Sequence, residues 1–277
     1  MSTLFITSYK NPDLDGFACI VAYVEFLTLQ KKSATPIIFG IPHREAQFVL
    51  SELNWDGPES VSYMAGEPVA LVDMSSIPSL PEEIHPKNVV EIIDHRERTE
   101  EDLKVFPSAR VQIELVGACA TLIAEKFFVA NFQPSAESAL LLYSGIISNS
   151  TNFRAPNTTQ KDRDMANWLL KDLVIPKDYI HSMFVAKSRL TGSLEDMLLQ
   201  DHKKHYIGEK YVGSCQLEIV DLRDFIGEHG TEIQRVMENV KKREGFDSVF
   251  FLGTDVEKDG SVLIADDDML QERLSRM

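Results

Sequence analysis

The chain has 277 residues, 44% of them hydrophobic, enough to bury a sizeable core and to form two domains. Its 28 Lys and Arg against 43 Asp and Glu give a formal charge of -15. That balance argues against a duplex nucleic-acid partner, whose phosphates need a basic face, but leaves small phosphates open because a metal ion can supply positive charge locally. Cys19, Cys119 and Cys215 are odd in number and far apart, as buried thiols of a reducing compartment are. No apolar run is long enough for a membrane span, so the expectation is an acidic, soluble, cytoplasmic protein.

Leu4-Phe5-Ile6 reads as a short buried strand, and Asn11-Pro12 forces a turn after it. Asp13 and Asp15 then stand at the mouth of a helix through Phe17, Ile20, Tyr23 and Val24. Two carboxylates so placed suit neighbouring hard cations; they equally suit an N-cap and a first-turn acid. Strands are expected over 35–39, 69–72, 89–93 and 110–115, and helices over 43–53, 117–131, 136–147 and 159–173. Such alternation predicts an α/β fold, a parallel sheet with helices on both faces, whose ligands gather beyond the carboxyl ends of the strands. Three of those ends carry acids: Asp13 with Asp15, Asp73, and Asp94 with His95.

After Pro176 the texture changes. The reading places a first domain at 1–175, a helical connector at 176–192, and a smaller α/β domain at 193–277. The smaller domain is expected to hold a helix to about Gln200, the basic cluster Lys203-Lys204-His205, strands over 211–220, 249–252 and 262–265, and a helix over 231–243. Asp266-Asp267-Asp268 reads as the cap of a last short helix.

Assembled in this order, the chain resembles the DHH phosphoesterase superfamily. It is most similar to the branch with a DHHA2 second domain: manganese-dependent (family II) inorganic pyrophosphatases, yeast-type exopolyphosphatases and animal prune proteins. The carrying segments are Lys10-Asn11-Pro12-Asp13-Leu14-Asp15, Leu71-Val72-Asp73, Ile92-Ile93-Asp94-His95-Arg96, 117–121, 198–206 and 216–221. The resemblance implies one or two Mn²⁺ or Mg²⁺ ions, with Asp13, Asp15, Asp73, His95 and Asn149 as ligands and Asp73 shared. It implies Asp73, His95 and Arg96 in catalysis, Asp94 and Tyr9 behind the ligands, and Lys203 and Arg96 on a substrate phosphate. The implied partner is a small phosphate-containing substrate, with neither membrane nor duplex nucleic acid; a second copy of the chain is an open expectation.

Four positions depart from the pyrophosphatase pattern. Tyr9 stands where a histidine ligand is expected, Asn149 where an aspartate is, and Arg96 where the second histidine of Asp-His-His is. The sequence also ends at Leu274-Ser275-Arg276-Met277, before the family's basic closing segment would arrive. Two functional readings follow: a working metal-dependent phosphohydrolase with altered substrate preference, or a catalytically impaired relative that binds metal or phosphate.

Overall fold

The computed structural model describes residues 3–59, 61–189, 192–200, 202–258 and 260–267. The chain divides into two compact units, residues 1–183 and 184–277.

In the first unit, β1 (Leu4–Thr7) leads into α1 (Leu14–Leu29), capped by Asp13, whose Oδ1 accepts from the Gly16 amide at 2.9 Å. Next come β2 (Ala34–Pro36), α2 (Arg44–Glu52), β3 (Val69–Val72), β4 (Val89–Asp94), the one-turn helix α3 (Glu100–Leu103) and β5 (Arg110–Ile113). All four strand pairings are parallel, in the order β2-β1-β3-β4-β5. The central strand β3 is buried throughout, which its Val-Ala-Leu-Val run requires. Side-chain alternation sends Phe5, Val69, Leu71 and Ile92 to one face, where Ile84, Phe106 and Leu103 of α3 pack on them. The opposite set, Ile6, Ala70, Val72 and Ile93, faces α1 and α4 (Cys119–Val129).

α5 (Ala136–Asn149) packs along α1, and α6 (Gln160–Leu170) closes that layer. Gly145 permits the approach: a Cβ there would lie 3.4 Å from the Asp15 Cα and 3.3 Å from the Ala120 Cβ. That brings the end of α5 to the carboxyl ends of the strands. A buried carboxylate, Asp162, ties α6 to the start of α4. It accepts from the Gly117 amide at 2.8 Å, the Thr121 hydroxyl at 2.5 Å, and the Thr159 amide at 2.7 Å. Asp162→Ala strands these buried donors and is expected to cost about 3 kcal/mol, read from the urea midpoint.

The second unit begins within α7 (Tyr179–Ser188) and continues through α8 (Leu194–Gln200), β6 (Lys203–Ile207), β7 (Lys210–Ile219), α9 (Leu222–Glu244), β8 (Ser248–Asp255) and β9 (Ser261–Ala265). Its sheet runs β6-β7-β8-β9, with only the central β7–β8 pair parallel among the described strands. Leu198 of α8 and Ile233, Val236 and Val240 of α9 cover one face.

The basic cluster Lys203-Lys204-His205 is the start of an edge strand, turned into β7 by the two-residue hairpin Gly208-Glu209, with Gly208 at φ +66°. α9 begins at Leu222, nine residues before the expected Thr231. Gly227 and Gly230 weaken the helical signal, but Leu222, Phe225 and Ile226 pack on the core and hold the extra turns. Asp266 accepts from the Ser248 hydroxyl and the Val249 amide, pinning the start of β8; the short helix expected after it lies outside the described residues. Among the described residues, no helix is long and apolar enough to cross a membrane.

Candidate metal centre

Asp15 in the first turn of α1, Asp73 after β3 and His95 after β4 meet at the carboxyl edge of the sheet. All three are buried, and one ligand atom from each lies within 4.8 Å of the others. His95 Nε2 is 3.4 Å from Asp73 Oδ1 and 3.9 Å from Asp15 Oδ2. Its other nitrogen, Nδ1, donates to the Val116 carbonyl at 2.9 Å. In the neutral ring this leaves the Nε2 lone pair facing the two carboxylates, the tautomer that metal ligation needs.

Each ligand is held by its own support. Asp15 accepts from the Cys119 and Ala120 amides at 2.8 and 2.7 Å, so the positive end of α4 steadies its charge. Asp94 accepts from the His95 amide at 2.8 Å and from the Ser75 hydroxyl, fixing the 94–96 turn. Asp73 sits in the left-handed region at φ +54°, an uncommon state for a non-glycine residue and one found where surroundings dictate it. Its Oδ1 and its backbone carbonyl each accept from Arg96 Nη1 at 2.8 Å. Its Oδ2 is buried and has no hydrogen-bond partner among the described residues.

Burial raises the pKa of Asp15, and the Asp73 charge raises it further. Burial opposes charge on His95, but hydrogen bonding to Asp73 and the Asp15 charge outweigh it and lift the imidazole to about 9. These shifts describe negative charge crowded without enough compensation. Two carboxylates, one of them with an unpartnered buried oxygen, and one correctly oriented imidazole fit a divalent ion such as Mn²⁺ or Mg²⁺.

The gap beside Asp73 depends on Gly16. A Cβ at that position would sit 3.3 Å from Asp73 Oδ2 and 2.9 Å from the Ser8 hydroxyl, itself buried and unpartnered. Gly16→Ala therefore pushes on a ligand oxygen. The expected result is a loss of about tenfold or more in Mn²⁺ affinity, measured by titration calorimetry.

The remaining expected residues fall in different places. Asp13 is outside the three-residue cluster and serves as the α1 cap. Tyr9 is half-buried, and its hydroxyl accepts from the Asp13 amide at 3.3 Å. Burial, with the Asp13 and Asp73 charges, drives its phenol far above the ordinary range, so it offers no anionic ligand. Asn149 does reach the cluster, but with its amide nitrogen turned inward: Nδ2 donates to Asp15 Oδ2 and to the Gly117 carbonyl, each at 3.0 Å. Arg96 lies over Asp73 and also contacts Asp94 at 3.1 Å. Lys203 belongs to the second unit, where its Nζ is 3.3 Å from Gln216 Oε1.

Other supports had no signal in the sequence. The Val116 carbonyl and the Cys119 and Ala120 amides are backbone groups, invisible in a pattern of side chains. Glu45 could have been noticed as an acid on the inner face of a helix. It accepts from the Leu14 amide at 3.2 Å and the Ser148 hydroxyl at 2.6 Å, joining the start of α1 to the end of α5.

A parallel α/β sheet with acids and a histidine converging at its carboxyl edge, followed by a second small sheet unit, defines a class of protein. Within that class, the family model described as DHH family, N-terminal domain, matches residues 3–146, and the DHHA2 domain model matches residues 181–276. The chain belongs to the DHH family. It is 29% identical over 265 residues to a Clostridium acetobutylicum protein described as a probable manganese-dependent inorganic pyrophosphatase, covering 95% of this chain and 84% of that one. It is 28% identical over 271 residues to the manganese-dependent inorganic pyrophosphatase of Methanocaldococcus jannaschii, covering 93% of this chain and 84% of the relative. The solved structure of a Methanococcus jannaschii protein assigned as a family II inorganic pyrophosphatase superposes with a TM-score of 0.72 at 26% identity, covering 99% of this chain and 90% of that one. An exopolyphosphatase-related protein from Bacteroides fragilis, at TM-score 0.51 and 14% identity over 96% of this chain and 80% of that one, shares the fold.

Proposed function

We propose that this chain is a metal-dependent phosphohydrolase acting on a small phosphoanhydride or phosphoester, with inorganic pyrophosphate the first substrate to test. The observation that carries the reading is the buried cluster of Asp15, Asp73 and His95, with the His95 tautomer set by Val116. Its relatives described as manganese-dependent pyrophosphatases support the same substrate class and the same metal.

In this reading Asp15, Asp73 and His95 hold the ion, and Asn149 joins them if its amide turns over to present oxygen. A bound Mn²⁺ or Mg²⁺ supplies Lewis-acid polarisation of the phosphoryl group. Arg96 keeps the Asp73 charge in check through Nη1; its Nε and Nη2 make no hydrogen bond among the described residues and suit a phosphate oxygen. Asp13, committed to the α1 cap and next to an uncharged Tyr9, offers a poorer site for a second ion. The role expected of Lys203 on a substrate phosphate belongs to this proposal, as does pyrophosphate, polyphosphate or nucleotide as the particular substrate.

The test is an assay with Mn²⁺ on pyrophosphate, short polyphosphate, and linear and cyclic dinucleotides, with the melting temperature followed in parallel. Turnover that needs Mn²⁺ supports the reading. No turnover on any of these overturns it, and a metal-dependent thermal rise without turnover would leave a binding protein instead.

A further inference from the structure

Among the described residues, four buried side-chain atoms have no hydrogen-bond partner, and two of them border the same space. These two are Ser8 Oγ and Asp73 Oδ2. A Cβ built on Gly16 would lie 2.9 Å from the first and 3.3 Å from the second, so both oxygens edge the room that this glycine leaves open. The strand register explains the meeting. β1 and β3 are parallel neighbours with Thr7 opposite Leu71, which puts Ser8 and Asp73 at adjoining strand ends. Both residues are fully buried, so bulk water reaches neither.

The two oxygens of Asp73 are unequally held. Oδ1 accepts from Arg96 Nη1 at 2.8 Å and lies 3.4 Å from His95 Nε2. Oδ2 has no such hold among the described residues. A carboxylate that ligates a metal needs its own orientation fixed by further hydrogen bonds. A hydroxyl suits that task, because it gives a proton without adding a charge that would repel a cation. Each carboxylate oxygen has two lone pairs, so a bond from Ser8 leaves Oδ2 one more.

We propose that Ser8 is a positioning residue of the metal centre, donating its hydroxyl proton to Asp73 Oδ2 when the ion is bound. A small rotation of the carboxylate within the room beside Gly16 closes the contact. Arg96 then holds one oxygen of Asp73 and Ser8 the other, and the face that Asp73 turns to the ion is fixed. This role rests on the metal-dependent reading above, and it gives Ser8 no contact with substrate. In the ion-free chain the pair weakens the fold, since two buried polar groups lie near each other unjoined.

The experiment titrates Mn²⁺ calorimetrically into the full chain after metal removal by EDTA, and records each metal-free melting temperature. Ser8→Ala should bind Mn²⁺ about tenfold or more weakly than the wild type. Its metal-free melting temperature should hold or rise, because the substitution removes a buried hydroxyl that has no partner there. That split in sign separates positioning from packing, since lost packing lowers the melting temperature. Ser8→Gly removes the same hydroxyl and should lose Mn²⁺ affinity by a similar factor. Ser8 loses this role if Ser8→Ala binds Mn²⁺ as tightly as the wild type. It also loses it if affinity and metal-free melting temperature fall together, the mark of a packing residue. A wild type that binds no Mn²⁺ would overturn the metal centre itself, and the role of Ser8 with it.

Discussion

Asp73→Asn is expected to lower Mn²⁺-dependent turnover by at least about 100-fold, the upper end of what losing a metal-orienting partner costs. The substitution keeps the side chain's shape and removes one of the two carboxylate charges in the cluster. Arg96 retains Asp94 as a partner at 3.1 Å, so the turn should survive. Thermal stability gives an independent measure. A site filled at 100 times its dissociation constant stabilises the native state by about 2.7 kcal/mol, and a hundredfold weaker site by only about 0.4 kcal/mol under the same conditions. The Mn²⁺-induced rise in melting temperature should therefore nearly disappear. Unchanged turnover together with an unchanged thermal rise would remove Asp73 from the metal site.

The second large effect is on pH. With His95 lifted to about 9 in the metal-free protein, an ion must displace a proton to bind Nε2 at neutral pH. Apparent Mn²⁺ affinity should therefore rise by about tenfold per pH unit between pH 6 and 8 and flatten near 9, with close to one proton released per ion. The metal-free protein should move the other way. A histidine whose folded pKa exceeds its unfolded value of about 6.5 stabilises the fold fully below that value and loses the contribution as pH rises through about 9. Burial and Asp73 raise Asp15 as well, which gives the same sign: the carboxyl favours the fold when protonated and less as it ionises. The combined expectation is a metal-free melting temperature that falls from pH 6.5 to 9, with the fall reduced by saturating Mn²⁺. Buffer-dependent calorimetry and a pair of melting curves check both signs. A flat metal-free profile with no proton released on binding would show that His95 is already neutral over this range.

The fold was legible from local pattern because its inner strands β3 and β4 are short apolar runs that end in Asp73 and Asp94. Val69-Ala-Leu-Val72 could only be an inner parallel strand, and its following residue had to lie at the carboxyl edge. The same logic placed Asp15 and His95 at that edge before any distance was known. Where the pattern was weak, packing decided. Gly227 and Gly230 obscured nine residues of α9 that Leu222, Phe225 and Ile226 hold in place. Lys203 and Lys204 read only as a basic cluster, and pairing with β7 makes them part of an edge strand.

The site divides along the same line. Residue type and order alone determined which acids and which histidine close the strands, because a strand's end is a local property of the chain. Only the tertiary structure decided what those groups do to one another. Asp15 and Asp73 come from separate strand–helix units, His95 takes its tautomer from a carbonyl 21 residues away, and Arg96 reaches back over Asp73. The amide of Asn149 is turned inward by contacts with Asp15 and Gly117, 134 and 32 residues distant in the chain. Charge, burial and hydrogen-bond direction depend on neighbours brought from afar, and no window of sequence contains them.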